Sequence, residues 1–261
     1  GINAMVVAVG FTLGPVIGGL FTSLLGWRWV FFINVPLGIV GTIWAWLQIK
    51  EVEKMPLNQK FDWPGAITLT GGLFGILMAM SFGGLYGWDS MTTILGFIIG
   101  AILMALFIYV ESISKQPVLD LTFFKNRLLG FAYTSTLFNG IANGALTFLL
   151  IFYLQGIKSM NPFQAGLMLT PFALAMMIAA PISGILSDKY GSRELSTIGL
   201  LVMAAGLFGF TFIRAQTSFF EIILWQMIMG FGSGMFNSPN NNAIMGSVPA
   251  NKRGVASGTR V

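Results

Sequence analysis

The stretch Gly10-Phe11-Thr12-Leu13-Gly14-Pro15-Val16-Ile17-Gly18-Gly19 decides how the rest of the chain reads. It lies inside an apolar run and spaces Gly10, Gly14 and Gly18 at i, i+4 and i+8, on one face of a helix. Gly19 widens that face, and Pro15 removes one backbone donor from its middle. In a water-exposed helix interior each glycine costs roughly 1 kcal/mol and the proline about 3. Among membrane helices the same residues help, because absent side chains let two backbones approach. The pattern predicts a spanning helix whose glycine face packs against another helix.

Composition leads to the same class. The 261 residues are 55% hydrophobic and 9% charged, against about 25% charged in ordinary globular proteins. With a mean hydropathy of +0.80, an all-α polytopic membrane protein is the expected fold class. Cysteine is absent, which excludes disulfides, thiolate metal sites and thiol nucleophiles. Histidine is absent too, which removes Ser-His-Asp, Cys-His and HExxH chemistry together. No catalytic residue, metal site or cofactor is expected, and the chain does not read as an enzyme.

A spanning helix needs about 20 apolar residues. Eight segments qualify, at 1–25, 29–49, 64–83, 91–112, 129–154, 162–186, 195–214 and 219–247, and a ninth begins near Gly254. Start signals support the breaks: Asp62-Trp63-Pro64 and Asn161-Pro162 each place a capping residue before a proline, and Ser218-x-x-Glu221 reads as a capping box. Placing 50–62 in the cytoplasm puts Lys50, Lys54, Lys60, Lys115, Lys125, Arg127, Lys189, Arg193, Lys252 and Arg253 on that side. Only Arg28, Lys158 and Arg214 fall on the other, a clear positive-inside bias. The net charge of +5 is therefore a topology signal, with some attraction to anionic lipid heads, and does not point to nucleic acid. Residues 113–128 are too polar to span. Their apolar anchors Val118, Leu119, Phe123 and Phe124 suit a segment lying along the inner interface.

Glycine spacing and loop motifs together carry a resemblance. Gly10-x3-Gly14-Pro15-x2-Gly18-Gly19 resembles the antiporter motif in the fifth helix of major facilitator drug exporters. The continuation Gly26-Trp27-Arg28-Trp29-Val30-Phe31-Phe32-Ile33-Asn34-Val35-Pro36-Leu37-Gly38 resembles the hairpin to the sixth helix in the fourteen-helix drug:proton antiporter branch. Gly184-Ile185-Leu186-Ser187-Asp188-Lys189-Tyr190-Gly191-Ser192-Arg193 resembles the superfamily's loop signature, Gly-x-Leu-Ala-Asp-Arg-x-Gly-Arg-Lys. Here Ser187, Lys189 and Ser192 depart from it, as does Glu194 just beyond. Phe61-Asp62-Trp63-Pro64-Gly65 and Arg253-Gly254-Val255-Ala256-Ser257-Gly258 are similar to further family stretches.

The resemblance implies a partial major facilitator fold with about eight transmembrane helices. Residues 1–49 would be the last two helices of the N-terminal bundle, 50–113 two inserted linker helices, and 114–261 the first helices of the C-terminal bundle. The chain opens at Gly1 inside an apolar run and closes at Val261 a few residues into another helix, so an internal fragment is expected. The acidic residue that the family uses for proton coupling in its first helix would then lie outside this sequence.

Each candidate site carries two readings. Gly10, Gly14, Pro15, Gly18 and Gly19 would form a breakable seal between two rocking halves, or a static packing seam. Gly184, Asp188, Lys189, Gly191 and Arg193 would form a cytoplasmic loop switch between two spans, or a solvated turn that satisfies topology. Thr136, Asn139, Asn143 and Thr147 share one helix face, where they would contact substrate in a central cavity or serve as interhelical glue. Glu111 stands four before Lys115, the spacing of an ion pair, and Glu221 is best explained by its cap. Gly230, Gly232 and Gly234 with Pro239 and Asn240-Asn241-Asn242 suggest a thin, kinked helix whose amides satisfy the carbonyl freed by the proline.

The implied activity is efflux of amphipathic or lipophilic, often cationic, compounds from the cell in exchange for protons. The partners are a drug-like small molecule, protons and the lipid bilayer of the plasma membrane. An exporter of one metabolite or lipid is the alternative within the fold. A polytopic membrane enzyme is the alternative outside it, and would need intramembrane His, Cys or paired acids.

Overall fold

The computed structural model describes residues 2–48, 61–114, 116–249 and 252–260. Every regular element among them is helical: α1 (Ile2–Leu25), α2 (Arg28–Gln48), α3 (Trp63–Tyr86), α4 (Met91–Ile113), a 3-10 turn (Leu121–Lys125), α5 (Arg127–Phe152), a π-helical turn (Tyr153–Ile157), α6 (Pro162–Met168), α7 (Thr170–Tyr190), α8 (Ser192–Phe210), α9 (Phe219–Ser247) and α10 (Arg253–Arg260). Seven segments are long and apolar enough to cross a membrane, counting α5 with its π turn and α6 with α7. Helix α1 adds 24 residues. The all-α polytopic expectation holds, and the eight predicted spans fall on these helices with ends shifted by a few residues.

Many of the large apolar side chains turn outward, as a hydrocarbon solvent allows. None of the α2 residues is buried, and Trp44 and Trp46 stand open. The ends of the elements follow the predicted caps. Asn161 and Gln164 form a reciprocal capping box at α6, and Asp62 caps α3 by accepting the Gly65 N–H. At α9, Ser218 Oγ accepts the Glu221 N–H at 3.3 Å, while the Glu221 carboxylate takes the Ser218 hydroxyl rather than the backbone N–H of a full box.

The described residues fall into two compact units, one with α1, α2, α5 from Phe131, and α6 to α9, the other with α3, α4, the 3-10 turn and α10. In the first unit α9 is the axle, because its glycines point both ways. A Cβ on Gly230 would strike the Phe172 carbonyl of α7, and one on Gly234 would lie 2.7 Å from the Met176 carbonyl. One on Gly232 would strike the Met203 backbone of α8. At one end of the unit Leu150, Leu154, Ala165, Leu169 and Ile222 close a small apolar core.

The span predicted as 162–186 is broken at Leu169. Pro171 has no N–H for the Leu167 carbonyl, and the Thr170 hydroxyl takes that carbonyl at 2.8 Å instead. Gln226 of α9 then reaches the Met168 carbonyl with Nε2 at 2.7 Å, so the break is stitched to a neighbour. Of the three amides after Pro239, Asn240 departs from the expectation. Asn240 spends its amide on α5, at the Ala132 carbonyl and the Thr136 hydroxyl, not on the carbonyl that Pro239 frees.

In the second unit α3 and α4 meet along small residues. A Cβ on Gly75 would lie 3.1 Å from the Gly100 Cα, and one on Gly96 would lie 2.9 Å from the Ala79 Cβ. Within 113–128 the 3-10 turn is capped by Asp120, Phe123 is buried, and Val118 and Phe124 face outward. Lys50, Lys54, Lys60 and Lys115 lie outside the described residues, and with them the expected Glu111–Lys115 pair. Glu111 instead accepts the Leu119 N–H.

Candidate functional site

Helix α1 presents its small residues to α6, and the approach is reciprocal. A Cβ on Gly19 would strike the Pro162 carbonyl and lie 3.0 Å from the Phe163 Cα. One on Gly166 would strike the Pro15 carbonyl and lie 3.3 Å from the Val16 Cα. Ser23 Oγ accepts the Phe163 N–H at 3.2 Å. The stripe that makes this contact is Pro15, Gly19 and Ser23, at i, i+4 and i+8. Gly10, Gly14 and Gly18 lie on the neighbouring face, with nothing within 4 Å of where a Cβ would stand. Pro15 and Gly19 of the predicted set thus make the contact, and Ser23, which completes the stripe, is not singled out by glycine spacing.

The signature at 184–193 is more helical than a loop, which corrects that expectation. Asp188 and Lys189 belong to the last turn of α7, and Arg193 already lies in α8. Gly191 alone makes the turn, with φ of 93°, a conformation that only glycine takes without strain. Its N–H donates to the Ser187 carbonyl at 2.9 Å. Gly184 lets α9 approach, since a Cβ there would lie 2.8 Å from Ser238 Oγ. Asp188 is exposed and makes no hydrogen bond or ion pair among the described residues, while Lys189 sits 5.3 Å from the Tyr190 ring centre.

The polar stripe on α5 faces α8 and α9. Asn139 is buried and points Nδ2 at the Met203 sulfur, 3.0 Å away. Asn143 donates to Asn139 Oδ1 at 3.0 Å and to Ser233 Oγ at 3.3 Å, while Thr136 donates to the Ala132 carbonyl and receives Asn240. Asn237 closes the set by donating to Ser233 Oγ. One acceptor, Asn143 Oδ1, is buried without a partner, and Thr147 is exposed. The arrangement is two sets of polar side chains between α5 and α9, Thr136 with Asn240 and Asn139 and Asn143 with Ser233 and Asn237.

Two members, Ser233 and Asn237, were not singled out from the sequence. Gln226, Ser233, Asn237 and Asn240 recur along α9 at steps of three, four and seven, the same helical period that revealed the α5 stripe. Lys158, read only as a topology charge, is a staple: Nζ donates to the Ala215 and Thr217 carbonyls at 2.7 Å each. Tyr153 donates to the Arg214 carbonyl at 2.8 Å beside it. The π turn places both donors over the α8–α9 connection.

Known proteins match this chain along its length. The family model described as Major Facilitator Superfamily matches residues 1–260. The riboflavin transporter RibZ of Clostridioides difficile is 35% identical, over 97% of this chain and 54% of its own length. The multidrug transporter protein MdtP of Bacillus subtilis is 34% identical, over 90% of this chain and 43% of its own. A tetracenomycin C resistance and export protein of Streptomyces glaucescens is 30% identical, over 99% and 48%. The chain thus spans about half the length of the curated relatives it matches. Its helices are those of a multi-pass protein of the plasma membrane, and the chain belongs to the Major Facilitator Superfamily.

Proposed function

We propose that this chain works within a transporter, not an enzyme, that expels amphipathic or lipophilic small molecules in exchange for protons, in the fourteen-helix antiporter branch. The observation that carries the reading is the seam in which α1 meets α6 backbone to backbone at Gly19 and Gly166, with Ser23 bonded to the Phe163 N–H. Close small-residue packing gives a contact that is tight when closed and loses little side-chain burial when it opens, which suits two halves that alternate. The printed names of two relatives, a multidrug transporter and a tetracenomycin C export protein, favour a drug-like cargo.

On this reading residues 1–49 close one helical bundle, 50–113 supply an inserted hairpin, and 114–261 open the second bundle. Gly10, Gly14 and Gly18 then extend the antiporter face beside the seam. Asp188, with Lys189 and Arg193 about the Gly191 turn, is a carboxylate free to gain and lose a partner as the halves rock. The amide line on α5 and α9 lies along the substrate route, with Asn143 Oδ1 as its open acceptor and Thr147 at its exposed end.

A second reading is favoured by the riboflavin transporter among the relatives: one polar metabolite as cargo. Ethidium efflux separates the two. In cells carrying the full-length transporter built on this chain, energised efflux that collapses with a protonophore, and with Gly19→Leu or Asp188→Asn, is the expected result. Absent ethidium efflux with the protein present in the membrane supports the single-metabolite reading. Efflux intact in both variants removes the seam and the switch from the mechanism.

A further inference from the structure

Two carboxyl groups of the second unit face each other across the start of α3. Asp62 Oδ1 accepts the Gly65 N–H at 2.9 Å. Glu111, in the last turn of α4, is 4% exposed, and its Oε2 accepts the Leu119 N–H at 3.2 Å. The other oxygen of each, Asp62 Oδ2 and Glu111 Oε1, is buried with no hydrogen-bond partner. These two converge beside Gly65: a Cβ there would lie 2.8 Å from Glu111 Oε1 and 3.0 Å from Asp62 Oδ2. Glycine keeps open a gap that any larger residue would fill, and two orphaned acceptors look into it.

Among the described residues, the charged groups around the pair do not neutralise it. Asp120 is a third carboxylate, and its cation is already engaged, since Lys252 Nζ lies 2.6 Å from Asp120 Oδ2. Among the described residues no cation reaches Asp62 or Glu111. Two ionised carboxylates in one buried gap repel each other, and each leaves an acceptor unsatisfied. One proton on either oxygen removes the repulsion between them. A metal cation fits worse: the Leu119 and Gly65 N–H groups occupy the outer oxygens, and two remaining oxygens fall far short of the six or more that hard cations gather.

We propose that Asp62 and Glu111 form a proton-binding site that holds one proton between Glu111 Oε1 and Asp62 Oδ2 and fastens the end of α4 to the start of α3. Binding takes one proton from solvent, forms one O–H bond and lowers the charge of the pair from two negatives to one, with no other reactant. The site is independent of the transport reading above.

Infrared difference spectroscopy of the whole chain in lipid, between water and heavy water at neutral pH, tests this. The expected result is a carboxylic-acid C=O stretch from one group per chain, shifted by deuterium and equal in sodium and potassium buffers. It disappears in Glu111→Gln and also in Asp62→Asn. Either amide retains its backbone hydrogen bond and donates an N–H across the gap, so the remaining carboxyl ionises. No such band in the unsubstituted chain, a band abolished by sodium, or a band that survives either substitution overturns the proposal. The unsubstituted chain decides the first two outcomes without relying on the folding of a variant.

Discussion

The α3–α4 hairpin and the α5–α9 interior are built from the same kind of residue and use it differently. In the hairpin, glycines bring two backbones together, and the paired polar side chains stand toward its ends: Ser90 and Thr93 at one, Asp62 and Glu111 at the other. In the α5–α9 interior, glycines bring α7 and α8 against α9, and amides run down the middle of the helices. Lipid offers no partner to a polar group, so polarity at helix ends is inexpensive and polarity at mid-helix needs a reason. A hairpin of that kind is adequate as structure. A polar line through a bundle suits a path for something that is not lipid.

The largest break in this comparison is Gly232→Leu. Its side chain would enter the Met203 backbone, which cannot move aside. Overpacking of this kind costs about 3 kcal/mol or more, seen as loss of folded protein in a thermal scan in detergent. Gly100→Leu in the hairpin meets Ile76 at both its Cγ1, 2.7 Å away, and its backbone N, 2.9 Å away, and is expected to cost about 2 kcal/mol. Gly84→Leu, with open space around it, is expected to change little.

Next come the two lysine staples. Lys158→Met leaves the Ala215 and Thr217 carbonyls without their donor and is expected to cost about 1 kcal/mol. Lys252→Met acts on a carboxylate and so depends on pH. Burial alone would raise the Asp120 carboxyl, but Lys252 and the Thr122 hydroxyl and N–H outweigh it and hold Asp120 below the ordinary carboxylate range. Asp120 therefore contributes stability in full above the unfolded value of about 4, and loses it as pH falls through the lower folded value. Lys252→Met flattens that acid limb, by a small amount because the lysine is half exposed. Unfolding midpoints at neutral pH and in acid measure both staples.

The smallest effects on stability fall on the amide line. Asn139→Leu removes one interhelical bond of the kind worth about 0.6 kcal/mol within membranes. Asn143→Leu also removes a buried unpaired oxygen and should be close to neutral. If the line is a path and not only glue, transport by the full-length protein falls in both variants by far more than stability does. Parallel small losses of both would leave the α5–α9 interior as structural as the hairpin.

What the sequence made legible follows from local rules. Span positions, the Asn161 and Asp62 caps and the glycine packing of α9 depend on residues within a turn or two of each other. The α5 polar stripe was visible for the same reason, but its partners were not, since choosing Ser233 and Asn240 requires knowing that α9 lies opposite. The α1 seam shows the limit most plainly. Gly10, Gly14 and Gly18 satisfy the period as well as Pro15, Gly19 and Ser23 do, and only the position of α6 selects the second stripe. The Asp62–Glu111 pair was hidden by a nearer explanation, the i, i+4 lysine at 115, although 49 residues of sequence close into one contact around Gly65.

The central claim is that the α1 to α6 seam opens during transport. With no cysteine in this chain, Ser23→Cys and Phe163→Cys place a single thiol pair across it, in a full-length transporter whose other cysteines have been replaced. The account predicts that oxidation joins the pair and stops efflux, and that reduction restores it. Complete cross-linking with efflux undiminished would contradict the account and leave the seam a fixed part of the bundle.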